Sequence, residues 1–227
     1  MSHDASSDFA AQLRGFGPPG LIAVVVIVLA GTTRFGLYAV PVGGLLTLLW
    51  VALSRTPLPE IGYAPPRNWV AAIAIGIIFG VALKLLMKAV VLPLLGAGPS
   101  NEAFRFLRGN RAVLPAAIWA MLIAGFGEET VFRGFLFERI GKLIGTTNWA
   151  KVFRVVFTSA VFAGAHYSVQ GIVGVQQAAI TGLALGTAYT ISGRIWIPMI
   201  AHAAFDLTAL AIIYWNLEAA VAHLIFK

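Results

Sequence analysis

Gly127-Glu128-Glu129-Thr130-Val131-Phe132-Arg133 sets two adjacent carboxylates and a guanidinium into an otherwise apolar run. Ala116 to Phe126 ahead of it is nearly all apolar, and the run resumes from Gly134 to Phe137, which predicts one membrane-crossing helix with Glu128 about halfway along. A charge at the bilayer centre costs roughly 2.5–3.5 kcal/mol on insertion scales, so ionisable groups kept there usually face a protein-lined cavity and have a function.

The rest of the chain suits that environment. Of its 227 residues 59% are hydrophobic and 11% charged, with a mean hydropathy of +0.87, far more apolar than a soluble domain. Apolar windows long enough to cross a bilayer fall near 20–33, 36–53, 69–92, 113–138, 152–168, 171–191 and 195–216. The fold expected is an all-α, polytopic membrane helical bundle of about seven transmembrane helices. Only Arg34 separates the first two windows, and the first is short, so a broken or re-entrant pair is the alternative there. The organisation that follows is a polar N-terminal tail (1–19), N-terminal transmembrane helices with an interfacial segment (20–112), a core holding the intramembrane charges (113–216) and a C-terminal tail (217–227).

The net charge of +7 does not point to nucleic acid, because the Lys and Arg residues sit singly or in small groups between apolar segments. One face would carry Arg14, Arg55, Arg67, Arg139, Lys142, Lys151, Arg154 and Arg194, the other Arg34, Arg105, Arg108, Arg111 and Lys227, which favours a cell-membrane protein with a cytoplasmic N-terminus. Met1 to Gly20 is polar and lacks a concentrated basic region, so Leu21 onward reads as a retained span rather than a cleaved signal. With no cysteine there is no disulfide, thiolate metal site or cysteine nucleophile. Asn101 to Arg111 alternates Phe104 and Leu107 with Arg105, Arg108 and Arg111, which reads equally as an interfacial helix or as a basic loop beside the headgroups. Gly76-x-x-x-Gly80 and Gly182-x-x-x-Gly186 offer small faces for helix contact. Lys84 and Lys88, toward the far end of their span, are expected to snorkel to the interface rather than form a buried functional pair.

Glu128, Glu129, Arg133, His166, His202 and Asp206 all fall inside expected spans, on three different helices. Glu129 and Arg133 are four apart and share a helical face, so an ion pair can bury both. Adjacent residues diverge by about 100° around a helix, which turns Glu128 toward another partner. Glu128 is then the residue for chemistry and Glu129 with Arg133 the scaffold; the plainer alternative is that all three knit helices together. Phe162 lies one turn before His166 on the same face, where a histidine is often only a packed core residue. His202 and Asp206 repeat the four-residue spacing, and Asp206 can accept from one ring nitrogen and fix which nitrogen faces the cavity. One glutamate and two histidines from separate helices can activate water, by general-base catalysis or through a bound metal.

Glu128-Glu129-x-x-x-Arg133, Phe162-x-x-x-His166 and His202-x-x-x-Asp206 together resemble the three-part signature of the CPBP family, the CAAX proteases and bacteriocin-processing enzymes also called Abi, which includes the type II CAAX prenyl endopeptidase. The likeness spans Ile118 to about Leu210, and Ile61-Gly62-Tyr63 ahead of a Trp-led span resembles a short element that members carry before this core. At the last position the family takes Asn or Asp, and Asp206 is the acidic choice.

The resemblance implies an intramembrane endopeptidase in which Glu128 activates the attacking water and His166 shares that task. His202 and Asp206 would steady the oxyanion; since Asp206 donates only when protonated, it takes the narrower role of orienting His202. If a metal were used, Glu128, His166 and His202 would be its ligands, with Zn²⁺ the candidate, but no His-Glu-x-x-His helix presets such a site, and the metal-free general base is preferred. Other intramembrane chemistries lack their residues: no Gly-x-Ser-Gly surrounds Ser159 or Ser168, and Asp206 is the only aspartate after Asp8. The partners expected are a peptide or membrane-protein substrate and the lipid bilayer. The alternatives are a transporter or proton-relay protein, built from the same buried residue types, and a non-catalytic bacteriocin immunity protein of the same family.

Overall fold

The computed structural model describes residues 2–32 and 39–226. Arg34, expected to separate the first two spans, and Lys227, counted with the far face, lie outside the described residues. Every regular element among the described residues is helical. Helix α1 (Ser2–Arg14) leads into α2 (Pro18–Thr32) through a 57° bend measured from Ser7 onward, and α3 (Ala39–Leu53) lies against α2. A short 3-10 turn over Leu58–Ile61 and a proline-rich link precede α4 (Trp69–Leu94). Asn68 caps α4 by accepting from the Ala71 N–H at 3.0 Å, satisfying a donor that the first helical turn cannot.

Helix α5 (Leu114–Ile144) carries the charged motif near its middle, α6 runs Asn148–Gly164, α7 Tyr167–Ser192, α8 Trp196–Tyr214 and the short α9 Glu218–Ala222. By length and apolarity four of these can cross a bilayer, α4, α5, α7 and α8, or five with the bent α1–α2 pair. That is fewer than the seven expected. Among the described residues α6 has 17 residues, at the lower limit of what a straight span needs. The outward surface is apolar, as a lipid-facing one must be: Val70 is 77% exposed and Ile191 82%.

Small residues bring the helices around the site together. A Cβ on Gly80 would strike the Ala201 carbonyl and one on Gly76 the Ile200 side chain, so this pair seats α4 against α8. Gly125 performs the same service for α5 and α8, since its Cβ would lie 2.7 Å from the Ala203 nitrogen. Gly182 faces Ser159, and Gly186 faces Val155, where α7 crosses α6. The core between them holds Val131, Phe132, Phe135 and Phe162, with Trp50 set edge-on to Phe135 at 4.9 Å.

Both segments expected to be tails are docked. The Trp50 indole donates to the Leu13 carbonyl at 3.1 Å, Arg139 donates to the Arg14 carbonyl at 2.7 Å, and Glu60 accepts from Arg14 at 2.5 Å and pairs with Lys142 at 2.9 Å. The hydrogen bond from Lys142, helped by Arg14, holds the Glu60 carboxyl below its ordinary value of 4.5 against a smaller opposing push from burial. At the other end Glu218 of α9 is buried and takes the Asn101 N–H at 2.8 Å, Lys88 at 3.3 Å and Arg108 at 3.4 Å. The stretch between Asn101 and Arg111 holds a 3-10 helix over Glu102–Leu107, with Leu107 buried.

Candidate active site

Helix α5 delivers Glu128 and Glu129 to the bundle interior, and directly after them its backbone widens into a π-helical stretch over Thr130–Leu136. Such wider turns recur at functional sites because they rotate the side chains that follow. Here Arg133 falls back onto Glu129: its guanidinium donates to Glu129 Oε1 at 2.7 Å and to the Gly182 carbonyl at 3.1 Å, over the Phe162 ring at 4.9 Å. Glu129 and Arg133 are both 0% exposed, so each neutralises a charge that would otherwise be stranded.

His202 reaches across from α8. Its Nδ1 is 2.8 Å from Glu129 Oε1, while its Nε2 is 3.7 Å from Glu128 Oε2 and 3.7 Å from Asp206 Oδ2. A carboxylate already bound to Arg133 only accepts, so the proton of that bond sits on Nδ1. Glu129, from another helix, makes the hydrogen bond to the ring, while Asp206, expected to orient His202, lies 3.7 Å from Nε2. Glu129 thus joins Arg133 to His202 instead of serving Arg133 alone.

His166 lies in the turn between α6 and α7, one residue before Tyr167 opens α7. Its Nδ1 is 2.8 Å from the Phe162 carbonyl, and a carbonyl cannot donate, so Nδ1 carries hydrogen and a neutral His166 presents an Nε2 lone pair. Phe162 packs beside both imidazoles, with ring centroids 4.6 Å from His166 and 5.8 Å from His202. The same α7 is kinked five residues on, where Gly171 adopts φ +59°, a conformation for which glycine carries no Cβ penalty.

Glu128, Phe162, His166, His202 and Asp206 line one cavity of about 330 Å³. Among the described residues no three His, Cys, Asp or Glu side chains converge as a metal site. Glu128, His166 and His202, the ligand set named for Zn²⁺, are not among any such group, and the metalloprotease reading finds no support in this geometry.

Lys84 is also in this wall, and the sequence reading missed it. Lys84 and Lys88 do not snorkel: both are buried, Lys84 donating to Gln177 Oε1 at 2.9 Å and Lys88 to the Pro99 carbonyl at 2.6 Å. Their four-residue spacing in an apolar span was the available signal, but which way the face turned depended on α8. Outside the site, Tyr63 of the Ile61-Gly62-Tyr63 element meets the Thr130 hydroxyl at 2.7 Å, which ties that turn to the start of the π stretch.

Residues 110–208 match the family model described as type II CAAX prenyl endopeptidase Rce1-like, in agreement with the resemblance carried by the three motifs. Comparison with curated proteins and with solved structures gives no match.

Proposed function

Taking the likeness of residues 110–208 to that endopeptidase family as premise, we propose that this chain is an intramembrane endopeptidase that hydrolyses peptide bonds of membrane-associated substrates with water activated by Glu128 and His166. The observation that carries the reading is the convergence of Glu128, His166, His202 and Asp206, from α5, the α6–α7 turn and α8, on a single cavity.

Glu128 removes a proton from a water held between its carboxylate and the Nε2 lone pair of His166, and the hydroxide attacks the peptide carbonyl carbon. The carbonyl oxygen becomes an oxyanion. In its doubly protonated form His202 has Nδ1–H engaged by Glu129 and keeps Nε2–H for that oxyanion, a donor fixed before charge develops. Protonated Glu128 then returns its proton to the leaving nitrogen, the C–N bond breaks, and a carboxylic acid and an amine result. Asp206 lies on the cavity wall 3.7 Å from the same Nε2 and adds negative potential around the imidazolium. The alternatives of transport and of non-catalytic immunity have no comparable support in the geometry.

The test is hydrolysis of a fluorogenic peptide panel by the detergent-purified protein, with and without chelator, beside Glu128→Gln. Wild type should cleave in chelator, and Glu128→Gln should lose about a hundred- to ten-thousandfold in rate while remaining folded. Full activity of that variant would remove Glu128 from the chemistry, and loss of wild-type activity in chelator would reinstate a metal.

A further inference from the structure

Lys84 has no part in the hydrolysis just described, yet its ammonium borders the same cavity from α4 while only 6% exposed. An ammonium has three donors, and one goes to the neutral Gln177 amide oxygen at 2.9 Å. The Phe205 ring, 4.8 Å away, covers one side of it. Among the described residues no carboxylate lies within 4.0 Å of Lys84, and Asp206 and Glu218 act on it only through longer-range charge. Glu218 is already committed to Lys88, Arg108 and the Asn101 N–H, and Lys88 in turn to Glu218 and the Pro99 carbonyl. Of the two buried lysines, only Lys84 keeps donors and charge without a paired anion. It also stands where the site cavity meets a second lobe of about 520 Å³ that runs toward Asn101 and Glu218, since Lys84, Asn101 and Gln177 line both. A buried cation with unused donors at the junction of two lobes is costly in isolation and complementary to an anion that enters the cavity.

We propose that Lys84, positioned by Gln177 and Phe205, is a specificity subsite that binds a carboxylate of the peptide substrate while the scissile bond lies against Glu128. The inference rests on the peptidase reading. Two sources can bring this group, the C-terminal carboxylate of the peptide or an Asp or Glu side chain, and both present the same acceptor geometry to the ammonium.

The experiment compares the full-length protein on matched fluorogenic peptides ending in free acid or amide, and on pairs differing by internal Glu or Gln. In one of the two pairs the acidic member should be preferred by about ten- to hundredfold in kcat/KM, mainly through KM. The pair that responds identifies the source. Lys84→Met and Lys84→Gln should level that preference, and Lys84→Arg should retain it. Binding of the same peptides to Glu128→Gln reads the preference without turnover, and serves if a Lys84 variant does not fold. Equal handling of acid and neutral members by wild type in both pairs overturns the proposal, as does a preference that survives in Lys84→Gln. Failure of the peptidase reading has a different signature, namely undiminished cleavage by Glu128→Gln.

Discussion

Glu129 and Glu128 are chemically identical neighbours with opposite consequences for the fold. Glu129 Oε1 accepts from Arg133 and from His202, both buried, so its removal strands a guanidinium in the bundle interior. Glu129→Gln should cost roughly 3–5 kcal/mol of stability, the range for breaking a buried ion pair from one side. Glu128→Gln, at a position whose Oε2 lies 3.7 Å from His202 Nε2, should change stability far less than activity. Thermal unfolding of the two variants in the same detergent separates them, and equal melting temperatures would contradict the assignment of Glu129 as the structural hub. The four-residue spacings of Glu129 to Arg133 and of Phe162 to His166 were legible in the sequence because both contacts lie within about one helical turn. The partner of His202 was not, because it sits 73 residues away on another helix.

Between helices, fit at small residues decides how near the wall of the cavity comes to its floor. Gly80 lets α4 touch the α8 backbone at Ala201, the residue before His202, and Lys84 follows one turn later on α4. Gly80→Val should push α4 away, destabilise the protein by about 1–3 kcal/mol or more, and lower activity by displacing His202. Gly98→Ala is the control, since a Cβ there meets nothing within 4 Å, and it should melt with wild type. If Gly80→Val retains wild-type stability and turnover, this contact does not position the site. The glycine spacing announced that some close contact existed, but two such pairs and several apolar helices leave the choice of partner open. The π-helical stretch over Thr130–Leu136 was wholly hidden, because the local propensities of these residues do not mark an i to i+5 pattern.

For the molecule as a whole, the bundle is closed at opposite ends by ion pairs outside its apolar middle. Glu60 joins α1 to α5 through Arg14 and Lys142, and its carboxyl lies below 4.5 in the folded protein, led by the hydrogen bond from Lys142. A depressed carboxylate contributes stability that is present above its unfolded value and is lost as pH falls through the folded one. Melting temperature should therefore decline as pH drops below 4.5, and Glu60→Gln should flatten part of that decline. The pair is partly exposed, so the difference should not exceed about 1 kcal/mol. A Glu60→Gln protein with an unchanged acid profile would show that this junction carries no pH-dependent stability. The membrane class, the charged helix centred on Glu128 and the intrahelical residue pairs follow from composition and from a period of 3.6 residues, both of them local properties of the chain. The docking of both chain ends, the pairing of His202 with Glu129 and the burial of Lys84 were decided only by tertiary structure. Each depends on the crossing angle and rotation of helices distant in sequence, which are set by how their small and large side chains interlock.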